Sequence, residues 1–267
     1  MEIHYIIGYL LAILVGISLG LIGSGGSILS VPILVYVMKV EPILATAYSL
    51  FIVGTTALVG GIQKAREKLV DYKKVILFGI PTVITVFVTR KFIVPRIPDV
   101  IYISSDFYFA KSILIMIVFA VVMFFASIRM IRPLKTTIIE NNDDLNYPKI
   151  ILQGVFIGSI AGFVGAGGGF LIIPALLLLA KTPMKMAIGT SLFIVASQSL
   201  IGFLGDLQVH KDMDWKLLLI FAGLSIIGFF IGNRLSKKIS GEKLKTGFGY
   251  FVLAMAIYIL IKEVVLS

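Results

Sequence analysis

The chain has 267 residues, 58% hydrophobic and only 14% charged, with a mean hydropathy of +1.05. An ordinary soluble domain does not reach that balance, so a polytopic helical membrane protein is expected. The formal net charge of +10 does not indicate nucleic acid, because the lysines and arginines stand at the ends of apolar runs; the absence of cysteine excludes disulfides, thiolate catalysis and thiolate or iron–sulfur centres.

Ahead of the first apolar run, Met1-Glu2-Ile3-His4 lacks the basic stretch of a cleavable leader, and none is expected. Apolar segments follow at Tyr5–Ile22, Ser27–Met38, Ile43–Ile62, Lys73–Phe92 and Phe107–Ile131. A polar linker, Arg132 to Tyr147, holds the run Glu140-Asn141-Asn142-Asp143-Asp144 and is flanked by Pro133 and Pro148. Five more segments come after it: Lys149–Val164, Gly169–Ala180, Met184–Leu204, Trp215–Leu235 and Leu244–Lys262. The second segment of each half has about twelve residues, or roughly 18 Å of helix, short of a ~30 Å hydrocarbon core. Each is read as part of a hairpin or of a helix broken inside the membrane. The expected architecture is an all-α membrane bundle of ten helical segments, about eight of them full spans.

The halves repeat. Gly20-Leu21-Ile22-Gly23-Ser24-Gly25-Gly26-Ser27 returns 142 positions later as Gly162-Phe163-Val164-Gly165-Ala166-Gly167-Gly168-Gly169. Pro32 and Pro174 follow at equal distance, Ser49-Leu50-Phe51-Ile52-Val53 matches Ser191-Leu192-Phe193-Ile194-Val195, and Asp71-Tyr72-Lys73 resembles Asp214-Trp215-Lys216. This divides the chain into a first transmembrane repeat at 1–131, a cytoplasmic linker at 132–148 and a second repeat at 149–267.

Charge sets the orientation. The loop after the third segment carries Lys64, Arg66, Lys68, Lys73 and Lys74 against Glu67 and Asp71, whereas its counterpart has Lys211 and Lys216 against Asp206, Asp212 and Asp214. The last loop carries Arg234, Lys237, Lys238, Lys243 and Lys245 against Glu242. Its own counterpart is mixed, with Arg90, Lys91, Arg96 and Lys111 against Asp99 and Asp106. The positive-inside rule then places matching loops on opposite faces: an inverted-topology repeat, both termini extracytoplasmic, in the plasma membrane of the cell.

Breaking a helix in lipid frees N–H and C=O groups at several kcal/mol each unless they meet protein, water or ligand. Glycine permits the break and a close approach. If the two hairpins enter from opposite faces, both clusters reach the midplane and aim helix N-termini at one anion site. Substrate-binding candidates there are Gly23, Ser24, Gly25, Gly26, Ser27, Gly165, Ala166, Gly167, Gly168 and Gly169. The alternatives fail: a P-loop needs Lys and Ser/Thr after its last glycine, and a dinucleotide fold needs alternating strands and helices. Gly16, Gly20, Gly158 and Gly162 have the spacing of helix-packing contacts.

Polar residues inside the third and eighth segments are Thr46, Tyr48, Ser49, Thr55 and Thr56, and Thr190, Ser191, Ser197, Gln198 and Ser199. Small hydroxyls often bond back to their own helix. Ser49, Thr190, Ser191 and the bulkier Gln198 are kept as site candidates, while Gln153 is read as interfacial. Arg90, Lys91, Arg129 and Arg234 are expected to snorkel to headgroups and Asp206 to be an exposed loop acid. His4 and His210 are far apart and read as hydrated loop residues. No catalytic set, metal site or cofactor is expected.

The two glycine clusters with their prolines, and Ala187-Ile188-Gly189-Thr190-Ser191-Leu192, resemble the sulfite exporter TauE/SafE family over nearly the whole chain. The second half is the more specific. The first departs from it in Ser24, Ser27 and Ala45-Thr46-Ala47-Tyr48-Ser49. The resemblance implies a permease, not an enzyme, that exports a small sulfur-containing anion such as sulfite or an organosulfonate. Alternating access around a midplane anion site is the expected mechanism. The alternative is a passive anion channel, or a permease for another small oxyanion or carboxylate. Expected partners are the small anionic substrate and the lipid bilayer, with homo-oligomerisation left open.

Overall fold

A computed structural model of the chain describes residues 3–23, 26–98, 100–104, 107–132, 147–165, 169–178, 182–208, 213–238 and 240–265. Helix α1 spans Ile3–Ile22 and α2 spans Gly26–Pro32, continuing through a π-helical turn at Ile33–Val37. Helix α3 is Pro42–Arg66. Helix α4 is Tyr72–Val88, prolonged by a π-helical turn at Thr89–Ile93 and a 3-10 turn at Val94–Arg96. A hairpin of β1 (Val100–Ser104) and β2 (Phe107–Ala110) precedes α5 (Lys111–Ile131). Helices α6 (Tyr147–Val164), α7 (Gly169–Leu178), α8 (Met184–Leu207), α9 (Trp215–Ser236) and α10 (Gly241–Val265) complete the chain.

The architecture is a polytopic helical membrane bundle. Six helices are long and apolar enough to cross a membrane among the described residues, and two shorter apolar helices accompany them. One local expectation changes. The fifth segment does not begin as a helix at Phe107, because Phe107–Ala110 pairs antiparallel with Val100–Ser104, Val100 opposite Ala110 and Tyr102 opposite Tyr108. Both stretches are built of β-branched and aromatic residues, which suit a pleated strand better than a helix.

Helix starts follow their caps. Pro42 opens α3 behind Glu41, whose side chain accepts from Leu44 N at 3.1 Å. Asp71 caps α4 by accepting from Lys74 N at 3.2 Å, and Asp214 caps α9 by accepting from Leu217 N at 3.0 Å. On the outside, Ile76, Ile80, Ile84 and Val88 are exposed at i, i+4 spacing along α4, as are Leu152 and Phe156 on α6. Apolar stripes of this extent face lipid.

The helices before and after the linker pack in exchange. Helix α1 packs on α9 and α6 on α4, while α3 packs on α8 and α5 on α10. The first two pairs run parallel. Gly16 meets Ser225, Gly20 meets Phe229 and Asn233, and from the other side Gly228 meets Ile13 and Gly232 meets Ile17. On α6, Gly154, Gly158 and Gly162 meet Phe78, Thr82 and Thr89 in the same rising order. The absent side chains let backbones touch, as small-residue packing in membranes requires.

Helices α3 and α8, which hold the matching Ser49 and Ser191 motifs, run antiparallel. Leu50 lies by Gly202, Gly54 by Leu200, Gly61 by Phe193 and Lys64 by Gly189, so the residue number rises on one helix as it falls on the other.

Candidate functional site

The two glycine breaks have the same local geometry. Gly23 has φ +79° and Gly165 has φ +71°, the left-handed region that closes a helix at low cost only for glycine. Gly23 N donates to Leu19 O at 2.7 Å and Gly165 N to Ala161 O at 2.9 Å, so each glycine still closes a turn of its helix. Gly26 and Gly169 then open α2 and α7. The expectations on Ser24, Gly25, Ala166, Gly167 and Gly168 lie outside the described residues, as does the side chain of Ser27.

The breaks do not meet at the middle of the bundle. A Cβ on Gly23 would stand 2.6 Å from Ile188 Cγ2 on α8, whereas a Cβ on Gly165 would meet Thr46 on α3, 2.9 Å from its Cα. Ile188 adjoins Gly189, which lies by Lys64 at the far end of α3. From Thr46 to Lys64 is eighteen residues, or about 27 Å of helix. The shared midplane site drawn from the sequence is therefore corrected. Each hairpin carries its glycines almost across the bundle, because α1, with 20 residues, and α6, with 18, are long enough to do so. Helices α2 and α7 do touch one another.

The polar candidates divide between the two ends. Ser191 Oγ donates to Ile188 O at 2.9 Å and lies 3.5 Å from Gly23 O, so it belongs with the first break. Thr190 Oγ1 accepts from Asp71 N at 2.9 Å, tying the start of α8 to that of α4. Its counterpart Tyr48 accepts from Asp214 N at 2.7 Å, tying α3 to α9. Ser49 pairs with Ser30, holding α2 on α3. Gln198 is fully buried at mid-length of α8, apart from both breaks. The packing of Gly54 by Leu200 sets Gln198 level with its repeat counterpart Thr56.

Two charged residues sit where the sequence reading did not expect them. Arg90, in the π-helical turn that ends α4, does not snorkel; only 1% of it is exposed. Asp206 is not an exposed acid; it is 4% exposed near the end of α8. Arg90 Nη1 donates to Thr46 Oγ1 at 3.0 Å and stands 3.4 Å from Asp206 Oδ2. Arg90 Nη2 occupies the space that a Cβ on Gly165 would need. Among the described residues, Arg90 Nε and Nη2 have no hydrogen-bond partner. Leaving such donors unmet costs on the order of several kcal/mol, so the group is a strong functional marker. The available signal was positional: the topology read from charge already put the end of the fourth segment and the end of the eighth on one face.

The opposite end has a different set. Lys64 Nζ binds Glu67 Oε2 at 2.8 Å, and Lys237 Nζ lies 3.5 Å from Glu67 Oε1, linking the ends of α3 and α9. The Lys64 hydrogen bond, against some desolvation, holds the Glu67 carboxyl below its ordinary range, with Lys237 adding to it. Asn233, at the place in α9 that Arg90 has in α4 counted from the capping aspartates, is buried with its Oδ1 unpartnered among the described residues. No group of three His, Cys, Asp or Glu that could hold a metal occurs among the described residues.

A lipid-faced bundle with two glycine-broken helices and a buried cation, two of whose nitrogens meet no partner among the described residues, has the build of a polytopic membrane transporter. A model of the family described as Sulfite exporter TauE/SafE matches residues 8–259, and the chain belongs to that family. A probable membrane transporter protein of Xylella fastidiosa (strain 9a5c) is 30% identical over 254 residues, covering 92% of this chain and 91% of the relative. The probable membrane transporter protein YunE of Bacillus subtilis (strain 168) is 27% identical over 262 residues, 91% of this chain and 90% of that one. The probable membrane transporter protein MJ0441 of Methanocaldococcus jannaschii is 32% identical over 117 residues, 42% of this chain and 43% of its own length. No solved structure matches. These relatives are described as transporters, not enzymes, and the protein is a multi-pass membrane transporter.

Proposed function

We propose that the protein exports a small sulfur-containing anion, such as sulfite or an organosulfonate, across the plasma membrane by alternating access. The moving parts are two inverted repeats, 1–131 and 149–267, joined by a cytoplasmic linker at 132–148, with both termini extracytoplasmic. The observation that carries this reading is the seating of each break on the other repeat: Gly23 against Ile188 of α8, Gly165 against Thr46 of α3. The antiparallel crossing of α3 and α8 supports the inverted relation, since equivalent helices of an inverted repeat must oppose one another.

With the breaks about 27 Å apart along α3, they act as two gates, not as halves of one central site. Rocking one repeat against the other about the α3–α8 crossing loosens one seat and tightens the other. Gln198 and Thr56, buried and level with one another between the breaks, flank the route between the gates. The substrate class comes from the family description and from the buried guanidinium at one gate.

Purified protein in liposomes tests this. Sulfite or sulfoacetate flux is expected to saturate and to be stimulated by the same anion on the far side; linear, unstimulated flux would mean a channel instead.

A further inference from the structure

We propose that Arg90 is an oxyanion-binding residue, taking two oxygens of a small anion on Nε and Nη2, and that Asp206 is the carboxylate with which the anion competes for the guanidinium. The proposal rests on the transport reading and deepens it.

A guanidinium offers five donors in a rigid plane. Arg90 spends Nη1 on Thr46 Oγ1 at 3.0 Å and on Asp206, whose oxygens lie 3.4 and 3.5 Å away. Those carboxylate distances are long for an ion pair of this kind, where about 2.7–2.9 Å is usual, and the contact uses one nitrogen instead of a two-nitrogen fork. The two nitrogens left over, Nε and Nη2, are neighbours on one edge of the guanidinium. That edge matches two oxygens carried by a single atom, as in a sulfite, a sulfonate or a carboxylate. Both nitrogens are buried and unpartnered among the described residues, and Nη2 lies in the space left open by the missing side chain of Gly165.

A purely structural reading would have Arg90 cap the end of α6, where helix carbonyls attract cations. Such a cap works by donating to those carbonyls, and no described oxygen accepts from Nε or Nη2. A lock between α4 and α8 would likewise use this edge, which meets no partner among the described residues. The loose contact with Asp206 instead holds the cation in place without spending the edge that an anion needs.

The test is the anion-induced rise in thermal midpoint of purified protein, titrated with sulfite and with acetate against a constant background of chloride, a single-atom acceptor that cannot place a separate oxygen on each nitrogen. A saturable rise is expected for sulfite. Arg90→Lys keeps the charge but loses the fork, and its half-saturation should move up by about tenfold or more, as expected for losing a charge-assisted hydrogen bond. Arg90→Gln should lose the response. Asp206→Asn removes the competitor and should move half-saturation down. The site is overturned if Arg90→Lys binds as the unaltered protein does, if Asp206→Asn weakens binding as Arg90→Gln does, or if the unaltered protein shows no saturable rise. Should Arg90→Gln fail to fold, the other two variants decide. Liposome flux separates the two readings: saturable sulfite flux unchanged by Arg90→Lys defeats the site and leaves transport standing, whereas absence of saturable flux in the unaltered protein defeats the transport reading.

Discussion

The hydroxyl of Tyr48 accepts a hydrogen bond from the backbone N–H of Asp214 at 2.7 Å, joining the start of α3 to the start of α9. Its counterpart joins Thr190 to Asp71 N at 2.9 Å, at the opposite end of the α3–α8 pair. Tyr48→Phe and Thr190→Val each strand a partly buried amide at a helix start, at a cost of about 1–3 kcal/mol. Because the two bonds lie far apart, the double variant should lose the sum of the single losses. Denaturation in detergent measures this, and strong coupling between the two would contradict their separation.

Gly23→Ala and Gly165→Ala should both destabilise, by about 1–3 kcal/mol for the left-handed backbone alone. Gly165→Ala should be the worse of the two, since its Cβ meets the Thr46 backbone and the Arg90 guanidinium, while that of Gly23 meets first the Cγ2 methyl of Ile188. Gly223→Ala is the control. It is exposed on α9 with nothing within 4 Å, and helix propensity there should raise stability by about 0.5–1 kcal/mol.

Gly228 of α9 lies against the backbone of α1 at Ile13 and Ile17. Backbone cannot rotate aside as a side chain does, so Gly228→Val should separate α1 from α9 and cost about 1–3 kcal/mol or more. Thermal midpoints of Gly228→Val and Gly223→Val, compared directly, check that the loss comes from packing and not from β-branching in a helix.

Glu67 makes stability depend on acid. Its carboxyl is held below the ordinary value of 4.5, chiefly by the Lys64 hydrogen bond. A depressed carboxylate contributes stability that is fully present above its unfolded-state pKa and is lost as pH falls through the folded one. Unfolding measured downward from about pH 5 should show this loss, and Glu67→Gln should flatten that part of the profile. A variant profile parallel to the unaltered one would show that the Lys64–Glu67–Lys237 group contributes nothing.

Lys237 and Glu67 lie 3.5 Å apart, so the ends of α3 and α9 share a face. The chain has no cysteine of its own, which makes single-cysteine labelling clean. In intact cells, an impermeant maleimide should leave Lys68→Cys and Lys238→Cys unlabelled and should label Gln208→Cys. The reverse pattern would turn the proposed orientation over.

The sequence by itself determined the helical segments, because apolar length and capping residues act locally. Pro42 and the caps Asp71 and Asp214 set helix starts within a residue or two of where the hydropathy placed them. The glycine breaks were legible too, at Gly23 and Gly165, since a positive φ is a local demand. It was less informative at Phe107–Ala110, where an apolar run has no period that separates a strand from the start of a helix. Only the tertiary structure decided how far apart the breaks lie and what they touch. Depth across the bundle depends on which helix packs on which, and Arg90 becomes a buried group beside Gly165 only because Thr46 and Asp206, distant in sequence, close over it. A charge at the end of an apolar segment reads the same whether it faces headgroups or the interior; the packing of α3, α4 and α8 makes the difference.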